Sequence, residues 1–295
     1  MQEREHFTPE TLDEAAALLL AANAPLPPKV EGTRLVLQVT DGPGPGTLVI
    51  DVKRIPELNR LDYDERIGLR IGSAVWSPSI LDFPPVRRLY PILADACGAN
   101  LRGDADERST FGAILGSVGS AADIAPALIC LRATTAIFGP HGWSEMGVEA
   151  LLAGSGMARI QPGEFVVDIR LPPSPPRSGG AYLRSPVQGA ANQPPIVIAA
   201  FLALEEDRVT CCGARLVLGG VAGAAALRAL ETERFLAGKR LDDAAVREAA
   251  ALAARNARRQ GHEEPLSGAR AETVGALTGR AILEAVARAR AAAAL

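Results

Sequence analysis

Cysteine and histidine are scarce in this sequence, and their spacing does not match known metal sites. The four cysteines contain no C-x-x-C pair, and the three histidines lie far apart along the chain. Zinc and iron–sulfur sites need clustered ligands of these types. We therefore expect no metal site built by this chain, and we interpret each histidine as a surface or loop residue.

The chain also lacks an excess of basic charge and a long apolar run. Its formal net charge is −3, so it has no basic face of the kind that holds nucleic acid. No apolar run reaches the roughly 18 residues that a membrane span needs. The charged N-terminal segment has no apolar signal-peptide core. We expect a protein of the cytoplasm, where thiols stay reduced.

Patterns that pair a nucleophile with a base are missing as well. There is no G-x-S-x-G elbow, and the histidines stand in unrelated contexts. Acidic pairs such as Asp62 and Asp64 lie in polar stretches and are interpreted as solvated. We therefore predict no catalytic side chain. This absence favours a protein whose chemistry resides in a bound cofactor.

The segment from Thr110 to Asp123 is rich in glycine, serine and alanine. A backbone with so little side-chain bulk can approach a ligand closely, and phosphate is the commonest such ligand. A second Gly-Thr segment, Val30–Leu35, is its predicted counterpart. We predict that both segments are loops that face a phosphate-containing ligand.

The N-terminal half alternates between helical and strand patterns. Thr11 opens an S/T-x-x-E capping box, and apolar residues follow at helical spacing to about Asn23. Leu35–Val39 fits either a strand or a first helical turn. Further predicted strands are Lys29–Val30, Leu48–Val52, Leu69–Val75, Thr134–Phe138 and Glu164–Leu171, and further predicted helices are Ser79–Leu81, Val86–Cys97 and Val148–Leu152.

A stretch rich in proline and glycine, Pro172–Gly180, predicts a linker before a C-terminal domain. In that domain, Ile196–Leu204 and Val209–Leu218 flank a polar turn and indicate an antiparallel hairpin. Three predicted helices follow, at Ala224–Leu236, Asp242–Gln260 and Thr273–Ala293. A sheet covered by a layer of three helices is the packing that these elements favour.

The order of these motifs resembles the FAD-binding (medium) subunits of the molybdenum hydroxylases, the family that includes xanthine dehydrogenase and carbon monoxide dehydrogenase. Glu31-Gly-Thr-Arg-Leu35 stands where the family has its A-G-G-T-D-L loop, and Thr110-Phe-Gly-Ala-Ile114 where it has T-I-G-G-N. The likeness covers about residues 7 to 290. Other segments that match family landmarks in the same order are Val49–Leu58, Ser120–Leu128, Pro162–Pro172, Ala181–Arg184 and Val217–Ala222.

The resemblance implies an α+β protein with a two-subdomain FAD-binding fold of the PCMH type, followed by a C-terminal domain of antiparallel sheet and three helices. The implied divisions are residues 1–55, 56–175 and 176–295. The implied function is an oxidoreductase subunit whose FAD passes electrons from iron–sulfur centres to an external acceptor. The implied partners are a molybdopterin-binding large subunit and a [2Fe–2S] ferredoxin-like small subunit.

In such subunits, backbone N–H groups of the two glycine loops hold the pyrophosphate of FAD. An acid in the A-A-D segment and a basic residue on the first strand of the C-terminal domain help to position the nucleotide. The cofactor-binding residues that the resemblance implies are Gly32, Thr33, Arg34, Thr110, Gly112, Ala113, Asp123 and Arg184.

Four loop positions differ from the family pattern. Glu31 and Arg34 replace glycine and aspartate, while Ala113 and Ile114 replace glycine and asparagine. The Glu31 charge repels a pyrophosphate, whereas Arg34 can bind phosphate or pair with Glu31. Three hypotheses follow: a working flavin subunit, a non-catalytic subunit that has lost FAD, or an unrelated α/β protein in which both segments are merely tight turns.

Aromatic residues make up only 4% of the chain. Phe7, Tyr63 and Trp76 are candidates to approach an isoalloxazine ring. Packing in the core is the more frequent role of such residues. The sequence does not decide between these roles.

Overall fold

The computed structural model describes residues 4–22, 29–31, 33–39, 46–101, 110–116, 121–153, 160–186, 194–221, 226–259 and 266–292. The chain forms two compact units. Unit 1 consists of Met1–Phe83, Asp104–Ala121 and Arg132–Pro173, and unit 2 of Pro84–Gly103, Ala122–Leu131 and Ser174–Leu295. The mixture of helices and sheets confirms the α+β class, whereas the domain divisions after residues 55 and 175 stay a prediction.

Unit 1 begins with a small sheet and one helix. The strands are β1 (Arg4–Phe7), β2 (Lys29–Glu31), β3 (Arg34–Val39) and β4 (Gly46–Asp51), in the order β1-β4-β3-β2. β1 is parallel to β4, and the other pairs are antiparallel. Helix α1 (Leu12–Ala21) starts after Thr11, whose hydroxyl accepts a hydrogen bond from the Glu14 amide. The predicted helix start is confirmed, and the ambiguous segment at Leu35–Val39 is a strand.

Nine further helices lie in the described ranges. They are α2 (Ser77–Asp82), α3 (Pro84–Leu89), α4 (Pro91–Leu101), α5 (Phe111–Gly116), α6 (Ala121–Cys130), α7 (Val148–Leu151), α8 (Leu230–Leu236), α9 (Asp243–Arg259) and α10 (Gly268–Ala292). Among the helices of these ranges, none combines the length and the apolar character needed to cross a bilayer.

The larger sheet of unit 1 has five strands. They are β5 (Leu61–Asp64), β6 (Gly68–Gly72), β7 (Thr134–Gly139), β8 (Gly142–Gly147) and β9 (Phe165–Leu171), in the order β5-β6-β9-β7-β8. Every neighbouring pair is antiparallel. The end of β6 leads directly into the segment that holds α5 in place.

A buried carboxylate lies in the central strand of this sheet. Asp168 on β9 is fully buried and accepts hydrogen bonds from Arg70 (Nε–Oδ2, 2.6 Å) and Arg170 (Nε–Oδ1, 2.8 Å). A buried charge without partners is costly. The two guanidinium groups therefore make it possible for a carboxylate to occupy the middle of the sheet.

Unit 2 is built on a second antiparallel sheet. Its strands are β10 (Ser178–Arg184), β11 (Val197–Leu204), β12 (Cys211–Gly219) and β13 (Leu227–Arg228), in sequence order. The predicted hairpin is the pair β11–β12. Helix α10 packs on β10, β11 and α9, while α8 packs on β12 and α9. The predicted three-helix layer is therefore confirmed.

Small residues let this layer approach the sheet closely. A β-carbon added at Gly179 of β10 would lie 2.4 Å from the carbonyl oxygen of Ala285 in α10, so only glycine fits there. A β-carbon at the next residue, Gly180, would instead meet Ile92 of α4 at 2.9 Å. Because successive strand residues face opposite sides, α10 and α4 cover opposite faces of β10.

Two local predictions are wrong. The predicted loop Thr110–Asp123 contains helix α5 and the start of α6. Thr110 is a favourable helix-capping residue, and the alanine, isoleucine and leucine that follow Gly112 tolerate helix. The predicted helix Ala224–Leu236 begins only at Leu230, because Leu227 and Arg228 pair with β12 as strand β13.

Two strands differ from the sequence pattern. β10 begins at Ser178, so the last residues of the predicted linker belong to the sheet. The sequence does not predict β8, since its residues are mostly small or polar and show no apolar alternation. Pairing with β7 along its whole length stabilises it instead.

The Asp168 ion pairs yield a stability prediction. Asp168→Ala leaves Arg70 and Arg170 without their shared carboxylate, and we expect it to lower the free energy of unfolding by about 3–5 kcal/mol. Asp62→Ala is the matched control, because the pair between Asp62 and Arg60 is half-exposed and is worth about 0–1 kcal/mol. Urea denaturation measures both. Equal losses in the two variants would show that the buried carboxylate has no special role.

Candidate functional site

The first predicted loop is the turn between β2 and β3. Gly32 lies outside the described residues. Thr33 donates a hydrogen bond from its hydroxyl to Asp51 (Oγ1–Oδ1, 2.8 Å), and its carbonyl accepts from the Val52 amide at 2.9 Å. These bonds attach the turn to the end of β4. Arg34 starts β3 directly opposite Asp51, and its side chain is exposed.

Asp51 carries the negative charge of this turn. Burial alone raises the pKa of Asp51, but hydrogen bonds from Thr33 and Lys53 and the charge of Lys53 outweigh it, so the pKa lies below its usual value. The Lys53 ammonium lies 3.1 Å from the carboxylate. In the strand register Arg34 lies opposite Asp51 on one side and Glu31 on the other. The charges of Arg34, Lys53, Asp51 and Glu31 therefore balance at this turn.

The second predicted loop is the start of α5. Thr110 caps the helix, and its Oγ1 accepts a hydrogen bond from the Ala113 amide at 3.3 Å. The Phe111 amide donates to the carbonyl of Val75 at 3.0 Å, and the Gly112 amide donates to the carbonyl of Ser73 at 2.8 Å. The three consecutive amides at 111–113 therefore all have acceptors within unit 1.

The glycine at 112 has a packing role. A β-carbon there would lie 2.8 Å from the Ser73 carbonyl oxygen and 2.9 Å from the Ser73 β-carbon. Ala113, which stands where the family pattern has glycine, is buried in the protein. The backbone of Gly112 thus lies close to the segment that follows β6, and this contact requires glycine.

The structure brings the two segments together. Helix α5 packs against β2, and both belong to unit 1. The side chains of Glu31, Ile114 and Asp123 lie outside the described part of the chain. The backbone of Asp123 lies in α6 and is assigned to unit 2. Thr33, Arg34, Thr110, Gly112 and Ala113 are therefore grouped in one unit, whereas Asp123 and Arg184 are in the other.

Arg184 ends strand β10 and lines a cavity of about 470 Å³ in unit 2. Its Nη1 lies 3.5 Å from the carbonyl oxygen of Ala99. Asp95 and Glu284 also line the cavity, and both pair with Arg288 at 2.5 Å. The predicted basic residue therefore faces a space that a ligand can enter.

Two of the three candidate aromatic residues do not pack in the core. Phe7 is 39% exposed and Trp76 is 48% exposed. Trp76 is paired backbone to backbone with Thr110 in an isolated antiparallel bridge. The sequence alone gave no signal for this neighbour, because the two residues are far apart in the chain. Tyr63 is half-buried on β5.

Among the described residues, no group of three or more histidine, cysteine, aspartate or glutamate side chains could hold a metal ion. Burial raises the pKa of the Cys97 thiol to about 12 and that of Cys211 to about 11. Both thiols therefore stay protonated at neutral pH and are poor nucleophiles. Cys211 is buried and Cys212 is exposed, so their side chains lie on opposite faces of β12.

Comparison with known proteins shows the family. A family model described as the FAD binding domain in molybdopterin dehydrogenase matches residues 2–174. A second, described as the CO dehydrogenase flavoprotein C-terminal domain, matches residues 186–289. The chain belongs to the family of FAD-binding subunits of the molybdenum hydroxylases. The hypothesis of an unrelated α/β protein is wrong, and the predicted oxidoreductase class and FAD cofactor are confirmed at the level of the family.

Individual relatives agree with this assignment. The chain is 26% identical over 191 residues to the 6-hydroxypseudooxynicotine dehydrogenase complex subunit alpha of Paenarthrobacter nicotinovorans, covering 64% of this chain and 63% of that one. It is 25% identical over 247 residues to the nicotinate dehydrogenase FAD-subunit of Eubacterium barkeri, covering 81% of each. The chain thus aligns with less than two thirds of the length of the Paenarthrobacter subunit.

A solved structure shows the same fold over nearly the whole chain. It is a chain of the carbon monoxide dehydrogenase from Hydrogenophaga pseudoflava that lacks the Mo-pyranopterin moiety of the molybdenum cofactor. The two are 26% identical, the TM-score is 0.76, and the match covers 98% of this chain and 99% of that one.

The described residues fit the phosphates of FAD by charge. Arg34 is exposed beside the first turn, and Arg184 faces a cavity, so cations are present at two of the predicted positions. The amides at 111–113 add little, because each already donates to a protein oxygen. Within unit 1, Arg34 is therefore the described group best suited to a phosphate, while the amides at the start of α5 are bonded within the protein.

The lowered pKa of Asp51 gives a pH prediction. A carboxylate whose pKa is lower in the folded state than in the unfolded state stabilises the fold at a pH above its unfolded-state pKa. This stabilisation is lost as the pH falls through its folded-state pKa. Asp51→Asn should therefore lower the unfolding temperature at neutral pH, and the difference from the unaltered protein should shrink as the pH falls through the lowered pKa of Asp51. Thermal unfolding between neutral and acidic pH measures this.

The exposed Glu65, in the turn between β5 and β6, supplies the control. Glu65→Gln should leave the unfolding temperature unchanged at each pH. A difference for Asp51→Asn that stays constant across the pH range would contradict the assignment of the hydrogen bonds to the charged form of Asp51.

Proposed function

We propose that this chain is the FAD-binding, electron-transfer subunit of a multi-subunit molybdopterin-dependent hydroxylase or dehydrogenase. In this proposal it passes electrons from iron–sulfur centres to an external acceptor. The observation that carries it is the placement of α5 against β2, which puts the two family loops side by side within the matched FAD-binding region. When bound, FAD supplies the redox chemistry, and no catalytic side chain is required.

The residues of this chain have binding and positioning roles in the proposal. Arg34 neutralises phosphate charge beside the first turn, and Asp51 holds Thr33 in place through a 2.8 Å hydrogen bond. Thr110 fixes the start of α5 through the Ala113 amide. Gly32 and Asp123 complete the set by resemblance to the family. Arg184 is a further cofactor-binding position by the same resemblance.

The partners are a molybdopterin-binding large subunit and a [2Fe–2S] small subunit. The name of the Paenarthrobacter relative, a subunit of a dehydrogenase complex, supports an assembly of this kind. We place the complex in the cytoplasm, because the three buried cysteines are free thiols. We also propose that the FAD-binding part divides near residue 55 and that the C-terminal domain starts near residue 176, in accord with family matches that end at 174 and begin at 186.

One observation favours a second function. The amides at 111–113 all have protein acceptors, so the start of α5 offers no obvious free donor for a phosphate. Glu31 and Ile114 also replace residues that suit a pyrophosphate. The alternative is a non-catalytic subunit that keeps the fold and the partner surfaces without FAD.

A substitution at Arg34 tests the proposal. We expect the purified chain to bind FAD, with the visible absorbance of a flavin that is released on denaturation. Arg34→Gln should weaken FAD binding by about tenfold, since a charge-assisted contact to phosphate is worth roughly 1.4 kcal/mol or more. It should also reduce the salt dependence of binding, because one ionic contact is lost. Titration calorimetry at two salt concentrations measures both effects.

The control for Arg34 is Arg66→Gln, which removes another exposed arginine of unit 1 and should not change binding. A chain that stays colourless after incubation with FAD would refute the flavin-subunit function and leave the non-catalytic alternative. Equal FAD affinity in the Arg34 variant and the control would show that Arg34 does not contact the phosphates.

A further inference from the structure

Trp76 occupies a special place beside the second loop. Its backbone pairs with Thr110 in an isolated antiparallel bridge. Earlier in this segment, the carbonyl oxygens of Ser73 and Val75 accept hydrogen bonds from the amides of Gly112 and Phe111. Backbone contacts therefore join the start of α5 to the segment 73–76, and Trp76 is the last residue of that segment.

The side chain of Trp76 lies next to that of Thr110. Residues directly opposite each other in an antiparallel pair project their side chains to the same side, with β-carbons about 5 Å apart. Thr110 is only 3% exposed, and its hydroxyl faces the first turn of α5. Trp76 is 48% exposed. The indole therefore presents a large apolar surface to solvent at the edge of the predicted phosphate loop.

Two contacts hold the backbone at Trp76 in a fixed position. Trp76 immediately precedes α2, in extended conformation, and its carbonyl accepts a hydrogen bond from the Ser79 amide at 3.0 Å. The bridge to Thr110 fixes it from the other side. Because the backbone is already fixed, only the two side-chain torsions of Trp76 need to be ordered when a flat partner stacks on its half-exposed ring.

We propose that Trp76 stacks on a flat heteroaromatic ring of the bound dinucleotide and so contributes to its affinity. This inference rests on the proposed function, because it requires FAD at the loops of unit 1. The ring is either the adenine or the isoalloxazine of FAD, and both offer the same stacking chemistry. The indole thereby adds an apolar contact at a loop whose nearest amides are already used.

The two tryptophans of the chain make a matched comparison possible. Trp143 is 52% exposed and lies on β8 in the same unit, with its ring 5.2 Å from that of Phe138. Trp76→Leu removes the proposed stacking ring, Trp76→Phe keeps a smaller one, and Trp143→Leu is the control. Unfolding temperatures close to that of the unaltered chain verify that each variant is folded.

Affinities for FAD, FMN and ADP, together with the emission of bound FAD, provide the test. We expect Trp76→Leu to weaken FAD binding by about fivefold, Trp76→Phe to restore part of the loss, and Trp143→Leu to change nothing. A selective loss of FMN affinity identifies the isoalloxazine as the stacked ring. In that case FAD bound to Trp76→Leu should also emit more brightly, because the indole that quenches the flavin is gone. A selective loss of ADP affinity identifies the adenine.

Two outcomes would overturn the inference, and they differ in what they imply. If the unaltered chain binds FAD and Trp76→Leu matches Trp143→Leu in all three affinities and in flavin emission, the stacking role is wrong and the proposed function stands. If the unaltered chain binds no FAD, both the stacking role and the flavin function fail.

Discussion

The start of α5 is held by three backbone amides that all donate within unit 1. The amides of Phe111 and Gly112 donate to carbonyl groups of the segment after β6, and the amide of Ala113 donates to the hydroxyl of Thr110. These bonds satisfy donors that a helix start would otherwise leave unpaired. They fix α5 against the end of the larger sheet, and the same helix packs against β2. The position of one family loop relative to the other depends on this set of bonds.

Because these amides are already bonded, the proposal assigns phosphate recognition to side chains. Amides that already donate to protein oxygens are poor ligands for an anion, since they must first give up those bonds. The first turn carries compensating charge: Arg34 and Lys53 flank one carboxylate, Asp51, whose lowered pKa keeps it ionised. Arg34 replaces an aspartate and Glu31 replaces a glycine of the family pattern, so the two changes together make this loop more positive by one charge. In this account, the differences from the family pattern at positions 34 and 113 fit together. Arg34 adds a cation for phosphate, while the amide of Ala113 is already bonded within the protein.

Local sequence signals predicted those features that depend on neighbouring residues. The capping box at Thr11, the hairpin of β11 and β12 and the three C-terminal helices follow from spacing and turn composition, and the structure confirms them. The sequence did not predict β8 or β13, because pairing with a stronger neighbour stabilises these strands and their own residues do not favour them. The exposure of Trp76 and the acceptors of the amides at 111–113 depend on contacts between distant segments. No periodicity in the sequence encodes such contacts, so the family loops were found but their internal bonding was not.

Hydrogen–deuterium exchange with and without FAD tests most directly whether the amides at 111–113 serve the fold. Our account predicts that these three amides exchange slowly before FAD is added, and that FAD slows exchange mainly in residues 30–35. The contradictory result is fast exchange at 111–113 in the free chain followed by protection when FAD binds. That result would make these amides the phosphate ligands and would remove the reason for assigning that role to Arg34.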